Sequence, residues 1–288
     1  MNWDRAKTML IICLLGLNAF LAAMYFAYDD DYVVPLEDVS VIVDILAANS
    51  IYLSRPHGVE VPRRHAPVDQ FVLNPAVYNT GQLLDAFFTD TSNISQTFEF
   101  GNTIFSSPEG TLTIMRHIVR FQPSPDASSG RFFSDCNSET PAQLAFERFI
   151  RNNSQLFPGF EFDDLHGDIR GYSVFEFRQN YMGHTILSNV LSFTLGRSGV
   201  TEVLYVYYPP AGFVGVLQPI ISAPQALFMF KLGSAHIDEP IYITHIDLVQ
   251  NLVFAADGSD RITTAPYYRI FSDQAEPMLI NAVTGDIE

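Results

Sequence analysis

The chain has 288 residues, with 32 Asp and Glu against 16 Lys and Arg, for a formal net charge of −16. That balance repels nucleic-acid phosphates and anionic lipid headgroups, and it argues against a nucleic-acid partner. Only two cysteines occur, and Cys13 lies in an apolar N-terminal run, so Cys136 stands alone beyond it. With no intrachain disulfide to brace it, the remainder depends on an apolar core, for which about 260 residues is ample length.

The chain opens MNWDRAKTMLIICLLGLNAFLAAMYFAYDDD. From Thr8 to Tyr28 it carries no charge over 21 residues. As a helix this run reaches about 30 Å, enough to cross a bilayer and longer than a secretory apolar region of about 7–15 residues. The small residues Ala22 and Ala23 lie inside the run, where cleavage is not expected. The stretch LIIC resembles a lipoprotein signal, but Ile12 precedes Cys13 where a small residue belongs. The sequence therefore predicts a retained transmembrane helix over 8–28. Arg5 and Lys7 place a cytoplasmic tail at 1–7, and residues 29–36 form an extracytoplasmic stalk. Without Arg5, Lys7 and Asp4, the exported part keeps 14 basic and 31 acidic residues, a net of −17. Such acidity reads as solubility rather than as an acidic binding patch.

Within the helix, Ala19, Ala23 and Ala27 lie four apart, and Gly16 lies three before Ala19. Such a stripe of small residues lets two helices approach closely in lipid, and Asn18 beside it could hydrogen-bond a neighbouring span. Gly16, Asn18, Ala19, Ala23 and Ala27 are the candidate partner interface. The alternative is that Asn18 bonds its own backbone and the alanines are filler.

After the stalk, LEDVSVIVDILAANS predicts a helix with Val39, Ile42, Val43 and Leu46 on one face. SIYL and VDQFVL (68–73) read as strands. TGQLLDAFFTD (80–90) reads as a short helix capped by Thr80. TFEFGNTIFSSPEGTLTIMRHIVRF reads as strands with turns at GN and PEG. Residues 122–138 hold two prolines, five serines and a glycine. They mark a domain boundary or a long surface loop, and they divide the exported part into modules 37–122 and 138–288.

The second module opens with a helix over SETPAQLAFERFIRNN, capped by Ser138 or Thr140, with Leu144, Phe146 and Phe149 apolar. Three strands follow in YSVFEFRQNYMGHTILSNVLSFTLGRSGVTEVLYVYY. SAPQALFMFKL is a second capped helix. PIYITHIDLVQNLVF, PYYRIFSD and PMLINAVTGDIE read as strands. A helix followed by a curled antiparallel sheet, twice, is an α+β pattern.

Catalytic chemistry finds little to stand on. The lysines are Lys7 and Lys231, and no serine lies three residues before Lys231, which removes the S-x-x-K arrangement. G-x-S-x-G and H-E-x-x-H are absent. None of His57, His65, His117, His166, His184, His236 and His245 pairs with another at helical spacing, so no metal site is expected. HGD at 166–168 reads as a turn, and Cys136 has no evident histidine partner. Glu161, Asp163, Asp164 and Asp168 are four of many acids, so a glycosidase pair among them means little. Asn93-Ile-Ser95 and Asn152-Asn-Ser154 match glycosylation acceptors by a pattern that chance also produces. The tyrosine clusters LYVYYPP and PYYRI read as strand packing, with an aromatic peptide- or glycan-binding groove as the alternative. No cofactor and no catalytic residue is expected.

The opening MNWDRAKTMLIICLLGLNAFL resembles the start of the YycI (WalI) family. VSVIVDILAANSIYL with VEVP after it, FRQNYMGHTILSNVLSF, and PYYRIFSDQAEPMLINAVTGDIE are compatible with the same family. The resemblance implies a single-pass regulator without enzymatic activity. Its expected partners are the sensor histidine kinase YycG (WalK) and a YycH-like sibling, met chiefly through membrane helices. It also implies PepSY-like α+β modules outside the membrane and homo- or hetero-oligomers. This chain is more acidic and poorer in lysine than the family, which leaves room for a diverged paralogue with another kinase partner. The alternative from a different class is a PepSY-like peptide-binding or protease-restraining module on a passive anchor. A cell-wall hydrolase is the weakest reading.

Overall fold

The computed structural model describes residues 34–54, 59–63, 66–124, 139–167, 171–197, 199–234, 239–254, 262–273 and 276–288. It also describes Lys7, Ile11, Leu14, Leu15, Leu17 and Asn18 near the N-terminus. In chain order, helix α1 (Leu36–Ala47) precedes β1 (Ile51–Leu53), β2 (Phe71–Leu73) and helix α2 (Thr80–Phe87). Four strands follow, β3 (Ser95–Glu99), β4 (Asn102–Ser107), β5 (Gly110–Met115) and β6 (Ile118–Pro123). Helix α3 (Glu139–Asn152) leads to β7 (Phe160–Gly167), β8 (Ser173–Tyr181), β9 (His184–Gly196), β10 (Gly199–Val206) and β11 (Pro210–Phe213). Helix α4 (Ala223–Gly233), β12 (Ile241–Phe254), β13 (Ile262–Ser272) and β14 (Met278–Asn281) close the chain. This is a sheet-dominated α+β fold.

Two compact units emerge. One comprises Met1–Val68, Leu217–Asp247 and Pro266–Glu288, and the other comprises Asp69–Val216 and Leu248–Ala265. The modules expected at 37–122 and 138–288 divide the chain elsewhere. Phe121 of β6 and Phe146 of α3, on opposite sides of the Pro/Ser-rich stretch, share one core. A run of prolines and serines signals irregular backbone, and it does not say which apolar faces later meet. Most of that stretch, Cys136 included, lies outside the described residues.

In the Asp69–Val216 unit, β3, β4, β5 and β6 form an antiparallel meander. β6 pairs with β10, β10 with β9, β9 with β8 and β8 with β7, all antiparallel. Alternate residues Phe105, Leu112, Val119, Phe121, Phe175, Phe177, Leu191, Phe193, Val203 and Tyr205 are buried on one face. That alternation is what a sheet with one covered face requires. Leu83, Ala86 and Phe87 of α2 and Ala142, Phe146, Phe149 and Ile150 of α3 pack into the same cluster. The Phe146 ring stacks on Phe193 with centroids 4.2 Å apart. Leu144, one of the apolar positions of α3, is exposed, because it sits two residues away from Ala142 and Phe146 on the turning helix.

Local signals differ in detail. The cap of α2 is Asn79, whose side chain accepts from the Gln82 N–H at 3.2 Å, in place of Thr80, which is already helical. The meander makes a further turn at Arg116–His117, with Arg116 at φ 48°. The β4–β5 turn needs its glycine: a Cβ on Gly110 would lie 2.5 Å from the Gln122 carbonyl oxygen. Two strands escape the pattern reading. β7 carries Asp163 and Asp164 around a bulge and extends through His166, where a turn was expected. β11 is a short Pro/Gly segment that pairs with β2. The sheet is also not wholly antiparallel, since β12 meets β9 in parallel at Gln250 and Ile186.

In the other unit, β1 pairs in parallel with the start of β12, Ile51 opposite Ile241 through Leu53 opposite Ile243. β14 pairs antiparallel with β13. Helix α4 begins at a capping arrangement in which Gln225 Oε1 accepts from the Ser222 N–H at 2.8 Å. The expected closing strand ends at Asn281, whose Oδ1 accepts from the N–H groups of Val283 and Thr284. The turn this makes brings Ile287 back opposite Ile280.

Candidate functional site

Of the proposed helix interface, Asn18 lies among the described residues, whereas Gly16, Ala19, Ala23 and Ala27 lie outside them. Asn18 is helical and exposed. Ile11, Leu14, Leu15 and Leu17 are likewise helical, each with more than half of its surface exposed. Among the described residues, no helix is long and apolar enough to cross a membrane. Most of 8–28 lies outside them.

Of the residues singled out for chemistry, His57, His65, Asp168 and His236 lie outside the described residues, and Glu161, Asp163 and Asp164 lie on β7. Among the described residues no group of three His, Cys, Asp or Glu side chains could hold a metal ion. The His117 ring lies 4.7 Å from that of Tyr208, and His184 lies 5.6 Å from Phe71. Burial lowers the pKa of both imidazoles, and the Arg116 charge adds to the effect at His117. Lys231 sits over the Phe228 ring at 5.6 Å. The tyrosine clusters are structural, as the packing reading expects. Tyr205 and Tyr268 are buried and donate to the carbonyls of Leu156 and Ile221 at 2.7 and 3.0 Å. Tyr267 is held by Glu288, and burial first and then this bond push its pKa up to about 12.

One concavity lies in the unit that holds α1 and β1. A cavity of about 610 Å³ is lined by Val43, Leu46 and Ala47 of α1, by Ile51 to Ser54, and by Val59 and Tyr242. The turn joining α1 to β1 sets its shape. The Asn49 and Ser50 N–H groups donate to the carbonyls of Leu46 and Ala47, and Ser50 takes a φ of 61°. The chain thus reverses sharply, and β1 runs beside the end of the helix.

Consecutive strand residues point to opposite faces, so a cavity lined by Ile51, Tyr52, Leu53 and Ser54 together lies along the strand's edge. The hydrogen bonds agree. Ile241 N–H donates to the Ser50 carbonyl at 2.9 Å, and Ser54 N–H donates to the Ile243 carbonyl at 2.7 Å. In a parallel ladder alternate residues face the partner, so the N–H and C=O groups of Ile51 and Leu53 face away from β12, toward the cavity. Among the described residues no strand pairs with that edge. Tyr52 and Tyr242 stack beside it with centroids 5.5 Å apart, both well exposed. The helix face and the strand were legible in the sequence. Their joint concavity was not, because it depends on the parallel pairing of residues 51–53 with 241–243.

No family model matches the chain, and no curated protein matches it. Solved structures do. An uncharacterized protein from Eubacterium rectale is similar over 83% of this chain and 90% of its own, at 11% identity and a TM-score of 0.54. This shows a shared fold. The YpeB C-terminal domain from Bacillus megaterium is similar over 75% of this chain and 96% of its own, at 10% identity and a TM-score of 0.41. YycH from Bacillus subtilis is similar over 80% of this chain and 55% of its own, at 11% identity and a TM-score of 0.41.

Proposed function

We propose that the protein is a single-pass, membrane-anchored regulator of a two-component sensor histidine kinase. It acts without catalysis, through contacts of its N-terminal helix and its extracytoplasmic part. The observation that carries this reading is the exposure of Ile11, Leu14, Leu15 and Leu17 along a helical segment. Four large apolar side chains so close together form a surface suited to lipid or to a neighbouring helix. The resemblance of the opening residues to the YycI family supports the same reading and supplies the partners, a kinase and a YycH-like sibling. Residues 1–7 are then cytoplasmic and the bulk of the chain extracytoplasmic. Helix contacts worth about 1.4 kcal/mol would shift a two-state kinase tenfold. Ala23→Leu and Asn18→Leu are expected to reduce co-purification with the kinase and to alter kinase output. Unchanged behaviour in both assays would rule the helix contact out.

The cavity beside β1 favours a second reading, in which the anchor is passive and the exported part captures a peptide or restrains a protease. Residues 1–35 expressed alone separate the two. Retained regulation supports the helix contact, and lost regulation supports the exported module.

A further inference from the structure

We propose that the edge of β1 with which no described strand pairs binds an extended peptide as an added strand, one with apolar residues alternating with basic ones. This deepens the second reading above and rests on it. The Ile51 and Leu53 edge offers two N–H donors and two C=O acceptors toward a cavity of about 610 Å³, which is the main-chain half of strand addition. The side-chain half follows from the pleat. A ligand strand beside β1 turns alternate side chains toward opposite faces. On one face they meet Val43, Leu46 and Ala47, an apolar wall. On the other they meet the stacked rings of Tyr52 and Tyr242, 40% and 44% exposed. Exposed tyrosine faces attract guanidinium and ammonium groups.

Charge selects the same ligand. Arg55, Arg63 and Arg64 lie in this part of the sequence, yet the chain as a whole carries a formal net charge of −16. Among described residues near the cavity, Asp44 and Glu60 are exposed, and Arg63 is engaged with the Val34 carbonyl at 2.9 Å. The net acidity, read along the sequence as solubility, also acts as a long-range field that favours a cationic peptide over an anionic one. The same field works against a second copy of this chain. An edge three residues long is also small beside a stable dimer interface of about 1,600 Å².

The test uses the full chain in detergent and a fluorescent, end-blocked Val-Arg-Val-Arg-Val peptide, read by anisotropy. Two control peptides replace the central Val with Pro or both Arg with Glu. Binding of the Arg peptide is expected, and each control should bind about tenfold more weakly. Ala47→Trp fills the cavity from an exposed helix position, and Leu53→Pro removes an edge donor that takes no part in the β1–β12 ladder. Each should weaken binding by a similar factor while circular dichroism is retained. Equal binding of all three peptides overturns the proposal, as does full binding by a folded Ala47→Trp protein. A dimer in sedimentation that Leu53→Pro dissociates would make a second copy the occupant and also overturn it. If removing the exported part abolishes regulation while the three peptides bind alike, the module reading stands and this site falls.

Discussion

Asn189, on β9, is fully buried and ties three segments together. Its Nδ2 donates to Gln179 Oε1 at 2.7 Å and to the Tyr208 carbonyl at 2.9 Å, and its Oδ1 accepts from the Tyr208 N–H at 2.8 Å. Gln179 in turn donates to the Pro158 carbonyl at 3.0 Å. Asn189→Leu preserves bulk but strands one donor and two acceptors away from water. Each orphaned group costs about 1–3 kcal/mol, so the loss should be about 3–5 kcal/mol after partial relaxation. With a urea slope of about 2 kcal/mol/M, the unfolding midpoint of the Asp69–Val216 unit should fall by about 1.5–2.5 M, followed by far-UV circular dichroism. Asn189→Leu combined with Gln179→Leu should cost less than the sum of the single changes, because the pair removes its own orphan. A loss below about 1 kcal/mol, or strict additivity, would refute the view that this network is held by mutual satisfaction of buried groups.

Phe146 is fully buried against Phe193 and Phe175. Phe146→Ala should cost about 3–5 kcal/mol in the same denaturation assay, because the rings around it cannot close the void. A pH series tests His184. Burial lowers its folded pKa, so the unfolded chain binds the proton more readily. The stability this confers is present above the unfolded value of about 6.5 and is lost as pH falls toward the folded value. His184→Phe should therefore flatten the decline in stability between about pH 7 and pH 5. Identical slopes in the two proteins would show that the imidazole is not kept neutral by the fold.

Periodicity in the sequence was enough for α1, for the β3–β6 strands and for the long β8–β10 run, because each alternates or turns at the period of its own backbone. The buried face of α3 was half legible: Phe146 and Phe149 fell on it, but Leu144 did not, since hydrophobicity alone does not fix the rotation of a helix against a sheet. β7 and β11 escaped because acids and a Pro/Gly pair fill edge positions that need no apolar side chain. The tyrosine clusters were correctly read as packing.

The sequence by itself determined the acidic charge, the uncharged run over 8–28 and most of the local elements, all of which follow from neighbouring residues. The tertiary structure decided how the chain divides, because Phe121 and Phe146 belong to one core although a stretch whose composition suggested a boundary lies between them. It also decided where the cavity beside β1 forms. The cavity requires β1 to lie parallel to residues 241–243, nearly two hundred positions away, and a pairing at that separation is selected by the packing of the whole unit.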